Sequence, residues 1–102
     1  MNEIKTEQWS QYLNRDGVQF IYFYTPLCGT CQLASKMLEV VNETIPRLQI
    51  HKCNLNYFPA IAAEYEIESV PCLTIWQDGM IVEKIYAFKS VPYLFEIVNS
   101  YF

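Results

Sequence analysis

Between Phe20 and Cys31 an unbroken aromatic run gives way to a short loop and then to two cysteines three residues apart. Val18 to Tyr24 is almost wholly apolar or aromatic, with none of the alternation of a half-exposed strand. Such a run suits a central strand buried on both faces. Thr25-Pro26 ends it, because proline has no N–H to give to a sheet ladder. From Gly29 the pattern changes period. Leu33, Met37, Leu38, Val41 and Ile45 recur at helical spacing, and Pro46 closes the segment, which predicts a helix over 29–44. A strand therefore delivers Cys28 and Cys31 to the start of a helix. The first turn of a helix carries unpaired N–H groups and a partial positive charge, both of which favour a thiolate over a thiol. The thiolate is the form that attacks a disulfide. Lowering a thiol pKa by about 1.5 units raises its ionised fraction about 16-fold at neutral pH. Intrinsic nucleophilicity falls about fivefold over the same interval, so the net gain in attack rate is about threefold. The larger benefit of the Cys-x-x-Cys spacing is a second thiol held within reach to close a disulfide.

The remaining elements follow in order. Ile4 is assigned to a short first strand, Thr6 to an N-cap, and Trp9, Tyr12 and Leu13 to a helix that Asp16-Gly17 ends. Arg47 to Asn54 alternates as a strand. Asn56 to Pro59 reads as a loop, Ala60 to Tyr65 as a short helix and Cys72 to Trp76 as a strand. Asp78-Gly79 is a hairpin turn, since both residues accept positive φ. Met80 to Phe88 forms the return strand, and Val91, Leu94, Phe95 and Val98 share one face of a last helix. The order is βαβαβαββα: an α/β chain with a mixed sheet of four to five strands, parallel strands first and an antiparallel hairpin last.

Composition removes several classes of function. A length of 102 residues is one domain's worth, read as 1–102 without linker or repeat. Seven Lys and Arg are scattered among eleven Asp and Glu, so no basic stripe exists to hold a nucleic acid. No apolar run approaches a membrane span, and the start, Met1-Asn2-Glu3-Ile4-Lys5, is unlike a signal peptide. The expectation is a cytoplasmic monomer. Four cysteines in such a chain point to catalysis or metal binding rather than to a structural disulfide framework. A structural zinc site generally needs four nitrogen or sulfur ligands, commonly as two close pairs. Here only Cys28 and Cys31 are close. Cys53 and Cys72 stand alone, and His51, the one histidine, receives no role. The expectation is dithiol redox chemistry with no metal and no cofactor. No Gly-x-Gly-x-x-Gly is present to hold a dinucleotide.

Cys28-Gly29-Thr30-Cys31 at a strand-to-helix junction, followed about forty residues later by Val70-Pro71-Cys72-Leu73-Thr74-Ile75, resembles the thioredoxin family over essentially the whole chain. The resemblance implies the thioredoxin fold, with Cys28 as the nucleophile and Cys31 as the resolving cysteine. It also implies that Pro71 follows a cis peptide bond and that Val70 beside it pairs with an extended substrate. Lys52 matches a lysine that the family places near the resolving cysteine. Gly29 and Thr30 complete the active-site loop. Thr30 stands where the family has proline, Leu27 and Tyr24 where tryptophans are common, and Lys36 where a kinking proline is frequent. Tyr22 occupies the position of a buried aspartate implicated in moving the proton of the resolving cysteine.

The function this implies is a thiol–disulfide oxidoreductase acting on protein or low-molecular-weight disulfides, with electrons supplied by a separate reductase. The altered residues around Cys28 motivate a second reading, a binding, adaptor or redox-sensing module that keeps the fold and turns over weakly. Cys53 is expected to pack as a small apolar residue. Cys72, in place of threonine after the proline, is expected to point away from Cys28 and remain inert, because side chains alternate across a strand.

Overall fold

The computed structural model describes residues 1–102. Its elements are β1 (Asn2–Glu3), a 3-10 turn (Thr6–Gln8), α1 (Trp9–Leu13), β2 (Val18–Tyr24), α2 (Gly29–Thr44) and β3 (Ile50–Asn54). A second 3-10 turn (Leu55–Tyr57) leads to α3 (Pro59–Glu64), β4 (Cys72–Gln77), β5 (Met80–Ile85) and α4 (Val91–Asn99). The five strands form one sheet in the order β1-β3-β2-β4-β5. β1, β3 and β2 run parallel, whereas β4 is antiparallel to both β2 and β5.

β2 lies at the centre, which is why its sequence lacks a polar face. Phe20 and Tyr22 point into a cluster shared with Ala34, Leu38 and Val41 of α2 and with Leu94 and Val98 of α4. Ile21 and Phe23 point the other way, toward Trp9 and Tyr12 of α1, Phe58 at the start of α3, and Trp76. The sheet is thus a partition with a core on each side. Each large aliphatic side chain sealed in either core contributes about 1.5–3 kcal/mol of transfer free energy.

The hairpin turn is fixed to the opposite turn of the molecule. Asp78 and Gly79 both have positive φ, 51° and 82°. The Gly17 N–H donates to Asp78 Oδ1 at 2.7 Å, and the Asp78 N–H donates to the Gly17 carbonyl at 3.0 Å. This pair of bonds ties the entry of β2 to the β4–β5 turn.

Several elements differ from the sequence expectation, each for a physical reason. Leu33 is exposed and Met37 half-buried; the buried stripe of α2 is Cys31, Ala34, Leu38 and Val41, the helical row that faces the sheet. Thr6 is not an N-cap. It opens the 3-10 turn, where its hydroxyl meets Glu7, and the first turn is instead braced by Gln8 Oε1 accepting from the Lys5 N–H. Ile4 lies just past β1 but stays attached to the sheet, its N–H donating to the Lys52 carbonyl at 2.8 Å. β3 starts at Ile50 rather than Arg47, because the ladder between β2 and β3 begins at the Phe20–Ile50 pair. β5 ends at Ile85 rather than Phe88, because its pairing with β4 stops at Leu73–Ile85. Pro59 heads α3, a position where its missing N–H is not needed. No helix is long and apolar enough to cross a membrane.

Candidate active site

Tyr24 ends β2, and Cys28 sits outside the first turn of α2 as its N-cap, with extended backbone. Cys28 and Cys31 are joined in a disulfide with their Cα atoms 5.1 Å apart, within the separation a bridge requires. The Cys31 N–H donates to Cys28 Sγ at 3.1 Å, so this sulfur occupies the place that a serine or aspartate oxygen takes in an ordinary cap. The Thr30 hydroxyl lies 3.4 Å from the same sulfur. Two donor-bearing groups therefore converge on Cys28 Sγ, at the positive end of a helix of sixteen residues. The two cysteines differ in access. Cys28 is half-buried, whereas Cys31 is only 2 % exposed.

Tyr22 lies fully buried beneath this turn, and its hydroxyl donates to the Cys31 carbonyl at 2.8 Å. The Ser35 hydroxyl in turn donates to the Tyr22 oxygen at 3.2 Å. Burial pushes the Tyr22 phenol up from its ordinary value, more than the Ser35 hydrogen bond pulls it down. The phenol is thus a neutral donor, committed to a backbone oxygen. Ser35 is the residue that sequence reading missed. Its signal was available: it stands four residues after Cys31, on the same helical face and one turn further along.

Lys52 neighbours Tyr22 across the β2–β3 ladder. Its ammonium reaches outward, 4.0 Å from Glu3 Oε1 and 5.7 Å from the centre of the Tyr24 ring. Glu3 also accepts from the Tyr24 hydroxyl and, at 3.2 Å, from the Asn54 N–H. The carboxylate, before any other group, collects the Lys52 charge.

The Val70–Pro71 peptide bond is cis. Val70 lies outside β4, and its backbone N–H and C=O make no hydrogen bond within the chain. Pro71, Thr30, Leu33, Met37 and Phe88 line an open groove of 340 Å³ beside the disulfide. Leu27, immediately before Cys28, is wholly exposed, and Leu33 is 63 % exposed. An apolar rim thus surrounds the accessible sulfur.

The other two cysteines lie on the far side of the sheet. Phe23 of β2 is paired with Cys53 of β3 on one flank and with Cys72 of β4 on the other. Two strand spacings, about 9.6 Å, therefore separate these thiols, beyond the roughly 7 Å that a disulfide spans. Burial, helped by the Glu3 carboxylate, pushes the Cys53 thiol up to about 12. Burial raises Cys72 to about 11 despite the Tyr86 hydroxyl beside it. Both are free and fully buried. His51 is buried against the Tyr12 ring, with ring centres 4.8 Å apart. Nowhere do three or more His, Cys, Asp or Glu side chains gather as metal ligands would.

Comparison with known proteins agrees with this geometry. The thioredoxin family model matches residues 1–100. The thioredoxin-like protein YusE of Bacillus subtilis is 53 % identical over 85 residues, spanning 83 % of this chain and 80 % of the relative. A thioredoxin of Staphylococcus aureus is 30 % identical over 86 residues, 83 % of either chain. Among solved structures, a mutant thioredoxin from Halobacterium salinarum NRC-1 superposes with a TM-score of 0.82 at 23 % identity, covering 98 % of this chain and 88 % of that one.

Proposed function

The chain belongs to the thioredoxin family of thiol–disulfide oxidoreductases, and from that premise we propose that Cys28 is the attacking thiol and Cys31 the resolving one. The observation that carries the assignment is their unequal exposure, with Cys28 reachable at the helix N-cap and Cys31 sealed beneath it. In the reduced protein the Cys28 thiolate attacks one sulfur of a substrate disulfide. That S–S bond breaks, and the departing thiolate takes a proton from solvent. A mixed disulfide remains. Cys31 then gives up its proton and attacks Cys28 Sγ, expelling the second substrate sulfur as a thiolate. Two electrons have passed to the substrate, and the protein is left with the Cys28–Cys31 disulfide seen here.

Gly29 and Thr30 shape the first turn, with the Thr30 hydroxyl supporting negative charge on Cys28 Sγ. The unpaired N–H and C=O of Val70 accept an extended stretch of substrate as a short added strand, while Pro71 forms the adjacent wall. The exposed apolar rim suits disulfides carried by proteins better than small charged ones. Tyr22 anchors the Cys31 backbone, while the Lys52 charge is taken up by Glu3 away from the thiols. A separate reductase returns the electrons, in the cytoplasm, and the protein works as a monomer.

Reduction of insulin disulfides by dithiothreitol tests the reading. The protein should accelerate precipitation of the insulin chains, and Cys28→Ser should abolish the effect. A folded wild-type protein that adds nothing to the rate of dithiothreitol alone would instead favour the adaptor reading. Trapping with Cys31→Ser, which stalls the mixed disulfide, should identify the physiological partners.

A further inference from the structure

Thr30, whose hydroxyl lies 3.4 Å from Cys28 Sγ, also lines the 340 Å³ groove that runs past Pro71. A polypeptide joined to that sulfur therefore enters the groove directly. Its lining is apolar on both sides, with Leu33 and Met37 from α2 facing Tyr86 and Phe88 from the segment after β5. Lys89 is the single charged residue in that lining.

Lys89 is held in place in two ways. Its φ is 36°, a conformation that glycine takes without strain and lysine does not. Its ammonium rests 4.6 Å from the centre of the Tyr93 ring, which holds one side of the cation and leaves N–H donors free on the other. No carboxylate answers it. Lys52–Glu3 is the ion pair the structure contains. The first turns of the two helices that begin beside the groove, Gly29-Thr30-Cys31 and Val91-Pro92-Tyr93, hold no acid. Glu66 and Glu68 meet only the hydroxyl of Tyr86, and through their backbone: it accepts from the Glu68 N–H at 3.2 Å and donates to the Glu66 carbonyl at 3.5 Å. Neither residue lines the groove. The cleft on the other face of α2, between Gln32, Lys36 and Glu39, carries both signs of charge and selects neither.

Resting on the assignment of Cys28 as the attacking thiol, we propose that the groove selects disulfides carried by polypeptides with an apolar and an acidic residue close to the cysteine. The apolar side chain packs on Leu33 and Met37, and the carboxylate meets Lys89. The preference is local. With a net charge of −4 the chain as a whole favours basic partners, so only a carboxylate within reach of Lys89 gains.

The test uses peptide disulfides made of two identical chains, each carrying one cysteine and one leucine. Glutamate, glutamine or lysine is placed two residues from the cysteine, before it in one set and after it in the other. Steady-state kcat/KM is measured with the full chain and dithiothreitol as electron donor. In one of the two sets the glutamate peptide should be reduced about threefold faster than the glutamine peptide, and the lysine peptide more slowly than either. Lys89→Gln should level that series and Lys89→Glu should reverse it, whereas a merely structural Lys89 would change all three rates alike. The wild-type series decides the sign by itself, so the test survives a variant that fails to fold. Equal rates within both sets, or an order that persists in Lys89→Glu, would overturn the role of Lys89. Glutathione disulfide is acidic but lacks the apolar side chain, and should be reduced more slowly than the glutamate peptide; equal rates would overturn the apolar seat. A folded wild-type protein that reduces no peptide faster than dithiothreitol alone would instead overturn the redox assignment beneath it.

Discussion

At the scale of single residues, the chemistry rests on how unequally the fold treats four identical thiols. Alkylation of the reduced protein near neutral pH should modify Cys28 first, with Cys53 and Cys72 protected by burial that raises them to about 12 and about 11. Peptide mapping that finds either buried thiol reacting first would contradict the assignment. Tyr22 offers a sharper test. Its hydroxyl is committed to the Cys31 carbonyl and its proton is held more firmly than in a free phenol, so it cannot act as a neutral-pH base. Tyr22→Phe should destabilise the fold by about 1–2 kcal/mol while changing decay of the mixed disulfide less than about twofold. Tyr22→Asp should speed that decay wherever the fold tolerates it. A slowing of about tenfold or more in Tyr22→Phe, read by quench and mass spectrometry, would show that the phenol takes part in proton transfer. The thiol pair and Tyr22 could be read from the sequence because motif and strand period place them. Ser35 could not, because serine on a helix face is usually solvated and only the phenol beneath gives it a partner.

At the scale of elements, the two turns at the closed end are coupled more tightly than their local sequences suggest. Gly79 has φ 82°, and a Cβ there would lie 2.7 Å from the Leu13 carbonyl oxygen. Gly79→Ala should therefore cost about 1–3 kcal/mol, measured as a lowered urea midpoint. Asp78→Ala, which removes the acceptor for the Gly17 N–H, should cost about 1 kcal/mol. An unchanged midpoint in both variants would mean that the turn pair is not a stabilising contact. Asp-Gly announces a hairpin in any sequence, but a bond between residues 61 positions apart has no local signature. The boundaries of α2 were legible because Pro46 and the Cys-x-x-Cys loop bracket it. Those of β3 and β5 were not, since a strand stops where its neighbour stops pairing, and that depends on another part of the chain.

At the scale of the whole molecule, the central aromatic run foretold the architecture, because a strand without a polar face must be covered on both sides. The groove beside the disulfide was not foreseeable, since Thr30, Pro71 and Lys89 come together only once the sheet and its helices have packed. His51 links the fold to pH. Burial first, then the charges of Arg15 and the N-terminal amine, hold its pKa below 6.5 in the folded state. Between that lowered value and 6.5 the unfolded chain binds more protons. The His51 contribution to stability is therefore complete above 6.5 and falls away as the pH drops through this window. Urea midpoints taken between about pH 7.5 and about 5.5 should decline more steeply for the wild type than for His51→Gln; parallel slopes would remove His51 from the account. The two-sided sheet has one further consequence, for how the protein can be damaged. Cys53 and Cys72 are screened from the exchanging pair by β2 itself, with Phe23 standing between them. Each catalytic cycle is thus insulated from two spare thiols that would otherwise short-circuit it. The insulation exists only while the sheet does. An unfolded chain offers three ways to join four cysteines into two bridges, and two of them pair Cys28 with a residue it never meets in the native protein. Heating under oxidising conditions should then leave a molecule locked out of its own fold, whereas the same heating with reductant present should be reversible.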